Sequence, residues 1–393
     1  MTSSSRPGFW LQLAAIAGVA ATVLAVVSGT IGVGHDAVSA LAVPPLAAVA
    51  VAAWWAHRRL LAPSVLALVF FGAAAAVTAD ALHVAFASAA LAAAAVSAAQ
   101  CFRGRAVAAG PWRDYVTLTK PRIMSLLLVT GAAGMFVGAG GVPDLGLFIA
   151  TMVGLALACG GASALNHVLD ADIDRLMGKR TEKRPVAAGR VTPAHALEFG
   201  LTLSALSFVL LASAVNVLTA ALALVGNLFY VVVYTHWLKR WTAQNIVIGG
   251  AAGAVPPLVG YAAASGNLGL PALWLFLIVF LWTPPHFWAL ALLLKESYAA
   301  AKVPMLPVVK GDAETTKQIV WYSLVLVAFT LVVGLSLGPL YSVAAALLGA
   351  VFLAMAWKLR RSPTRRNAGV LFHYSLLYLA LLFVAAALDP VVL

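Results

Sequence analysis

The chain has 393 residues, of which 63% are hydrophobic and 10% charged, and its formal net charge is +12. Its mean hydropathy is +0.98, whereas soluble domains are about 45–50% apolar and about 25% charged. That composition excludes a water-soluble globular protein and describes a polytopic membrane protein, since a spanning helix needs about 20 apolar residues.

Apolar runs predict spans near 9–32, 38–56, 61–79, 82–101, 122–140, 145–166, 196–215, 217–234, 245–264, 271–294, 318–337, 340–357 and 370–388. Barrel strands need only about ten alternating residues, so these long Ala, Leu and Val runs are helices. The first run is longer than a signal-peptide core of about 7–15 residues and is read as a retained helix. All 25 Lys and Arg fall in alternate loops, and the intervening loops hold only Asp36, Asp80 and Asp144, with Asp389 at the far end. By the positive-inside rule the N-terminus and the basic loops are cytoplasmic and the C-terminus is outside. The same rule, with anionic lipid headgroups, explains the basic charge without nucleic acid. Cys101 and Cys159 have neither metal nor disulfide spacing.

The sixth run enters its loop as Asn166-His-Val-Leu-Asp170-Ala-Asp-Ile-Asp174-Arg175. Asn166, Asp170 and Asp174 recur every fourth residue, stepping about 40° around a helix, so they form one stripe. Asp172 lies about 200° around from Asp170 and points elsewhere. Two like charges one turn apart repel unless a hard cation lies between them, and Mg²⁺ combines one or two carboxylates with water and phosphate oxygens. A polar helix end and a cation relay are the competing readings of the spacing. The basic residues that follow, Arg175, Lys179, Arg180, Lys183, Arg184 and Arg190, suit a phosphate beside that metal.

Further polar groups fall at the same end: Lys120-Pro121-Arg122, Tyr234 through Lys239 and Arg240 to Thr242, and Gln244-Asn245. They read as interfacial anchors or as a second phosphate clamp. In the tenth run, Trp282-Thr-Pro284-Pro285-His286-Phe-Trp288 combines two helix-kinking prolines with a buried histidine. Such a pair kinks a helix and frees carbonyls, which is tolerated where the backbone lines a cavity. His286 could ligate iron, act as a base or hydrogen-bond a freed carbonyl. Trp282, Trp288 and Tyr261 could stabilise a carbocation or simply pack.

Together with Leu118-Thr-Lys120-Pro-Arg122, Arg180-Thr-x-x-Arg184-Pro185, Asn245 to Ala254 and Val303-Pro-Met-Leu-Pro-Val308, these blocks occur in the order of a known family. Residues 114–310 resemble the UbiA superfamily of intramembrane prenyltransferases, in particular its protoheme IX farnesyltransferase (heme O synthase) branch. The resemblance implies an all-α, nine-helix bundle around a central cavity over 111–393, with about four extra transmembrane helices in 1–110. It makes Asn166, Asp170 and Asp174 the catalytic and Mg²⁺ ligands, with Lys120, Arg180, Arg184, Lys239 and Arg240 around the diphosphate. Tyr234, Asn245, Trp282, His286 and Trp288 become the heme or acceptor pocket. Quinone-type relatives carry a second Asp-rich motif after the tenth run, where this chain has Lys295-Glu296-Ser-Tyr298. That departure favours heme over a phenol as acceptor and leaves open whether one or two Mg²⁺ bind.

The resemblance implies transfer of farnesyl from farnesyl diphosphate to a vinyl group of heme B, for heme biosynthesis, in a bacterial or archaeal cell membrane. The segment 1–110 is similar to half of a heme A synthase bundle around Ala81-Leu-His83 and Gln100, which suggests heme A synthase as a partner; an accessory packing domain is the plainer reading. The rivals are a quinone-precursor prenyltransferase, a membrane transporter and a heme-binding structural subunit. The transporter reading lacks charged motifs at matching places in two halves.

Overall fold

The computed structural model describes residues 111–178 and 181–392, together with Ala47, Ala50 and Ala67. The first four expected spans, and with them the division at residue 110, lie outside the described residues, as does Arg180. Among the described residues, nine helices are long and apolar enough to cross a membrane. They are α1 Pro121–Ala139, α2 Leu145–Leu169, α3 Pro193–Ala214, α4 Val217–Trp241, α5 Asn245–Ser265, α6 Leu270–Leu293, α7 Gly311–Leu337, α8 Pro339–Arg361 and α9 Arg365–Val392. All nine fall on expected apolar runs. Four overrun an end of their runs by at least four residues: α4 continues past 234 to Trp241, α7 begins at Gly311, α8 ends at Arg361 and α9 begins at Arg365. These polar turns stay helical because ion pairs and carbonyls at the interface satisfy them, as in Lys295–Asp312 at 2.8 Å and Arg360 Nη1 on the Ala313 carbonyl at 3.1 Å.

Consecutive helices pack side by side, and α9 returns against α1, so the ring closes. Across it, α5 packs on α1 and α6 on α9. Apolar burial adds little driving force between helices in lipid, so close backbone approach and interhelical hydrogen bonds must hold them. The α1–α5 crossing shows the first device. A Cβ on Gly260 would run into the carbonyl oxygen of Gly131, and one on Gly134 into that of Pro257. The second device ties α2 to its neighbours through Ser207 to the Gly154 carbonyl at 2.7 Å and Asn227 to the Ala158 carbonyl at 3.2 Å. Ahead of α1, the short helix Trp112–Leu118 is pinned by Arg190 to Asp114 at 2.9 and 3.0 Å.

Gly260→Ala is expected to lower stability in detergent by about 3 kcal/mol, because neither backbone at the crossing can yield. Gly253→Ala on the same helix, where an added Cβ meets nothing within 4 Å, should leave the thermal midpoint unchanged or slightly raised. Equal midpoints for the two variants would refute the crossing as a close backbone contact.

Candidate active site

The carboxylate stripe lies where α2 ends. Asp170 caps the helix, and a short helix Ala171–Leu176 carries on. The Asp170 and Asp174 amides still bond four residues back, to Asn166 and Asp170, at 2.9 and 2.8 Å. Helical phase therefore survives the cap, and Asn166, Asp170 and Asp174 stay on one inward face, each 1–2% exposed. Asp172 points out, as its phase required. Its carboxylate takes a bidentate pair with Arg240 at 2.7 and 2.8 Å, and Arg240 also reaches the Leu169 carbonyl at 2.7 Å. Arg240 thus bolts the end of α4 to the end of α2. The Arg240 pair holds the Asp172 carboxyl down at about 2.

Each inward carboxylate has one oxygen on a cation. Lys239 Nζ lies 2.5 Å from Asp170 Oδ2, and Arg184 Nη1 lies 2.7 Å from Asp174 Oδ1. The other two oxygens, Asp170 Oδ1 and Asp174 Oδ2, are buried without a partner. Asn166 organises the centre: its Nδ2 donates to Asp170 Oδ2 at 2.8 Å and to Thr235 at 3.1 Å. Its Oδ1, the atom expected to face metal, accepts from Lys120 Nζ at 2.7 Å.

Lys120 reaches Asn166 from a left-handed backbone, φ 49°, directly before Pro121. A non-glycine residue held there costs about 1–2 kcal/mol, and such strain concentrates at functional sites. Burial, then the Arg184 guanidinium, lowers the Lys120 ammonium to about 7. Burial also raises the Asp174 carboxyl, against the pull of Arg184. Burial is the leading cause of both shifts.

Lys239 arrives through an irregularity that period analysis missed. Residues Phe229–Leu238 of α4 form a π-helix. Nine residues of α-helix, about two and a half turns, would set Tyr230 and Lys239 on opposite faces. The wider i→i+5 turn realigns them, and such turns recur at functional sites. Thr235 Oγ1 donates to the Tyr230 carbonyl at 2.9 Å while accepting from Asn166, and Tyr230 stacks on Tyr234 with centroids 5.5 Å apart. Thr235, fully buried, was not singled out from sequence, although it stands beside Tyr234 in a quoted motif. Tyr298, in the short helix Lys295–Ala300, was read only as a departure. Its hydroxyl is raised to about 12 by burial and by the nearby Asp170 and Asp174 carboxylates.

The expected acceptor residues divide into three groups. Tyr234 lies over Gly249 of α5, where an added Cβ would meet its ring. Asn245 is fully buried, its Nδ2 on the Thr242 carbonyl at 2.7 Å and its Oδ1 unpartnered. Trp282 and His286 turn together towards α9. Trp282 Nε1 donates to the Ser375 carbonyl at 2.8 Å, and His286 Nδ1 lies 2.6 Å from Ser375 Oγ, between the Trp282 and Phe372 rings. Ser375 gives its proton to the Phe372 carbonyl at 2.7 Å, so His286 donates from Nδ1 and keeps a lone pair on Nε2. Trp288 faces α7, edge-on to Tyr322 at 5.2 Å. The prolines 284 and 285 lie inside α6, which stays helical from Leu270 to Leu293 with packing on α5, α7 and α9 around it. Ser375 was missed because one serine in an apolar run carries no pattern.

The two free carboxylate oxygens and the phosphate-ready cations fit a hard divalent ion of the Mg²⁺ kind. Among the described residues no three His, Cys, Asp or Glu side chains converge on one point, so the protein supplies part of a shell that substrate oxygens and water complete. A buried acid–base cluster of this kind, at one end of the nine helices of the described region, suits a phosphate ester held beside a divalent ion.

The profile of the UbiA prenyltransferase family matches residues 127–384. The chain belongs to that family. It is 54% identical over 281 residues to the protoheme IX farnesyltransferase of Symbiobacterium thermophilum, covering 70% of this chain and 94% of that one. It is 52% identical to that of Synechocystis sp., covering 70% and 89%. It is 53% identical to that of Roseiflexus sp., covering 71% of this chain and only 53% of that longer protein. The fold is also that of a digeranylgeranylglyceryl phosphate synthase, with TM-score 0.60 and 18% identity over 72% of this chain and 99% of that one. A UbiA homologue from Archaeoglobus fulgidus bound to GPP and Mg²⁺ matches with TM-score 0.54 and 18% identity over 70% and 99%.

Lys239→Met leaves Asp170 buried beside Asn166 alone and is expected to cut prenyl transfer about 100-fold. Asp172→Asn breaks only the exposed pair with Arg240 and should change turnover less than about threefold. Steady-state rates of the two purified variants check this, and similar losses in both would contradict the inward and outward split.

Proposed function

We propose that the protein transfers the farnesyl group of farnesyl diphosphate to a vinyl carbon of protoheme IX, making heme O. The observation that carries this reading is the pair of unpartnered oxygens on Asp170 and Asp174, set among Lys120, Lys239 and Arg184. The relatives' name supplies donor and acceptor.

Asp170 and Asp174, with Asn166 if Lys120 turns to the phosphate, hold the ion. When bound, Mg²⁺ offsets the charge that develops on the departing diphosphate. Lys120, Lys239 and Arg184 stabilise the same leaving group, joined by Arg180, and Arg240 holds the two helix ends in place. Breaking the C1–O bond leaves an allylic cation; the terminal vinyl carbon bonds to C1, water adds at the adjacent carbon and a proton is released. Tyr230 and Tyr234 present ring faces near the cation and exclude bulk water. Trp282, His286 and Trp288 lie on the acceptor side, with His286 Nε2 the group available for heme. The basic loops lie in the cytoplasm, so the site opens there and the C-terminus lies outside.

Purified protein with heme B, farnesyl diphosphate and Mg²⁺ is expected to yield a porphyrin heavier by a farnesyl group and a hydroxyl group, by mass analysis of the extract. Chelation with EDTA should abolish the product and added Mg²⁺ restore it. Asp170→Ala should lower the rate at least about 1000-fold with folding intact. Unmodified heme alongside prenylation of a phenolic acid would move the protein to the quinone branch.

A further inference from the structure

Besides the carboxylate stripe, the same end of the bundle carries a half-open cleft of about 370 Å³ where α5 begins, α6 ends and α7 begins. Its lining includes Gln244, Trp288, Lys310, Glu314, Gln318 and Tyr322. Trp288 is 2% exposed, yet its indole Nε1–H has no acceptor. A buried donor without a partner is uncommon and calls for an explanation. Among the described residues, Lys310 has no ion pair and the Gln244 and Tyr322 side chains have no hydrogen bond, although neighbouring groups are engaged. The one acid in the lining, Glu314, already accepts from Gln318 at 2.8 Å and lies 3.6 Å from Lys317. The cleft therefore offers donors and a positive charge between aromatic walls, and what it lacks is an anionic acceptor carried on an apolar body.

We propose that this cleft takes the propionate edge of the acceptor porphyrin, with Lys310 and the Trp288 indole N–H as carboxylate donors and the Tyr322 ring against the macrocycle. The inference rests on heme as the acceptor. An exposed ammonium and a buried indole N–H lining one cleft suit a carboxylate that enters from the polar side. Protoheme carries its vinyl groups on the edge opposite the propionates, so this seat turns the vinyls into the bundle. It also gives Trp288 a role separate from that of Trp282 and His286, which face α9.

The test is an absorbance titration of the full-length protein in detergent with heme B and with its dimethyl ester, alongside steady-state kinetics. The wild type should bind the free acid about tenfold more tightly than the ester. Lys310→Ala should remove that preference and raise KM for heme about tenfold, with KM for farnesyl diphosphate unmoved. Trp288→Phe should weaken heme in the same sense, and the exposed Lys310 variant guards against misfolding of the buried one. Equal binding of acid and ester by a wild type that prenylates heme would overturn the seat alone. So would a preference that survives both substitutions, or phosphatidylglycerol that competes when acid and ester bind alike. A wild type that leaves heme unmodified but prenylates a phenolic acid would overturn the acceptor assignment, and the seat with it.

Discussion

Burying a carboxylate in the low dielectric of a membrane bundle is costly unless a cation and hydrogen bonds meet it. Asp170 satisfies that requirement with Lys239 and Asn166 on one oxygen, and much of the local architecture follows. Lys239 faces inward only because α4 widens into a π-helix. Thr235 steadies that turn and holds Asn166. Asn166 in turn holds Lys120, whose backbone is left-handed to reach it. One polar cluster thereby joins the start of α1, the end of α2 and the end of α4, three helices whose apolar faces would otherwise specify little about their relative rotation.

The cluster is satisfied on one side and open on the other. Asp170 Oδ1 and Asp174 Oδ2 remain unpartnered, and burial together with Arg184 disfavours the charge on Lys120. The two open oxygens are the atoms through which such a site would take a hard metal ion with a phosphate ester beside it. The exposed Asp172–Arg240 pair shows the contrast: with both groups matched, it fastens two helix ends together. Rigidity comes from outside the site, from the glycine crossing of α1 and α5, which fixes the distance across the ring without any polar contact.

Helix α6 serves two neighbours at once. Trp282 and His286 hydrogen-bond Ser375 of α9, while Trp288 turns to Tyr322 of α7. A single sequence block, Trp-Thr-Pro-Pro-His-Phe-Trp, thus divides between two interfaces, because residues 282 and 286 share a helical face that 288 does not. The prolines sit inside a continuous helix, and Thr283 bonds the Val279 carbonyl at 2.8 Å.

The sequence by itself determined the membrane class, the nine apolar helices of the described region, the common end of the basic loops and the inward face of Asn166, Asp170 and Asp174. These follow from local rules: apolar length, charge asymmetry and a four-residue period that survives a helix cap. Only the tertiary structure decided which cation meets which carboxylate. Arg240 looked equivalent to Lys239, yet it pairs with Asp172 outside the cluster, because a π-turn shifts facing by an amount that no α-helical period reveals. The partnership of His286 with Ser375 and the donors gathered around Trp288 were equally illegible, since each joins residues far apart in the chain. Periodicity describes how one helix presents its own side chains; which surface they meet depends on how nine helices close into a ring.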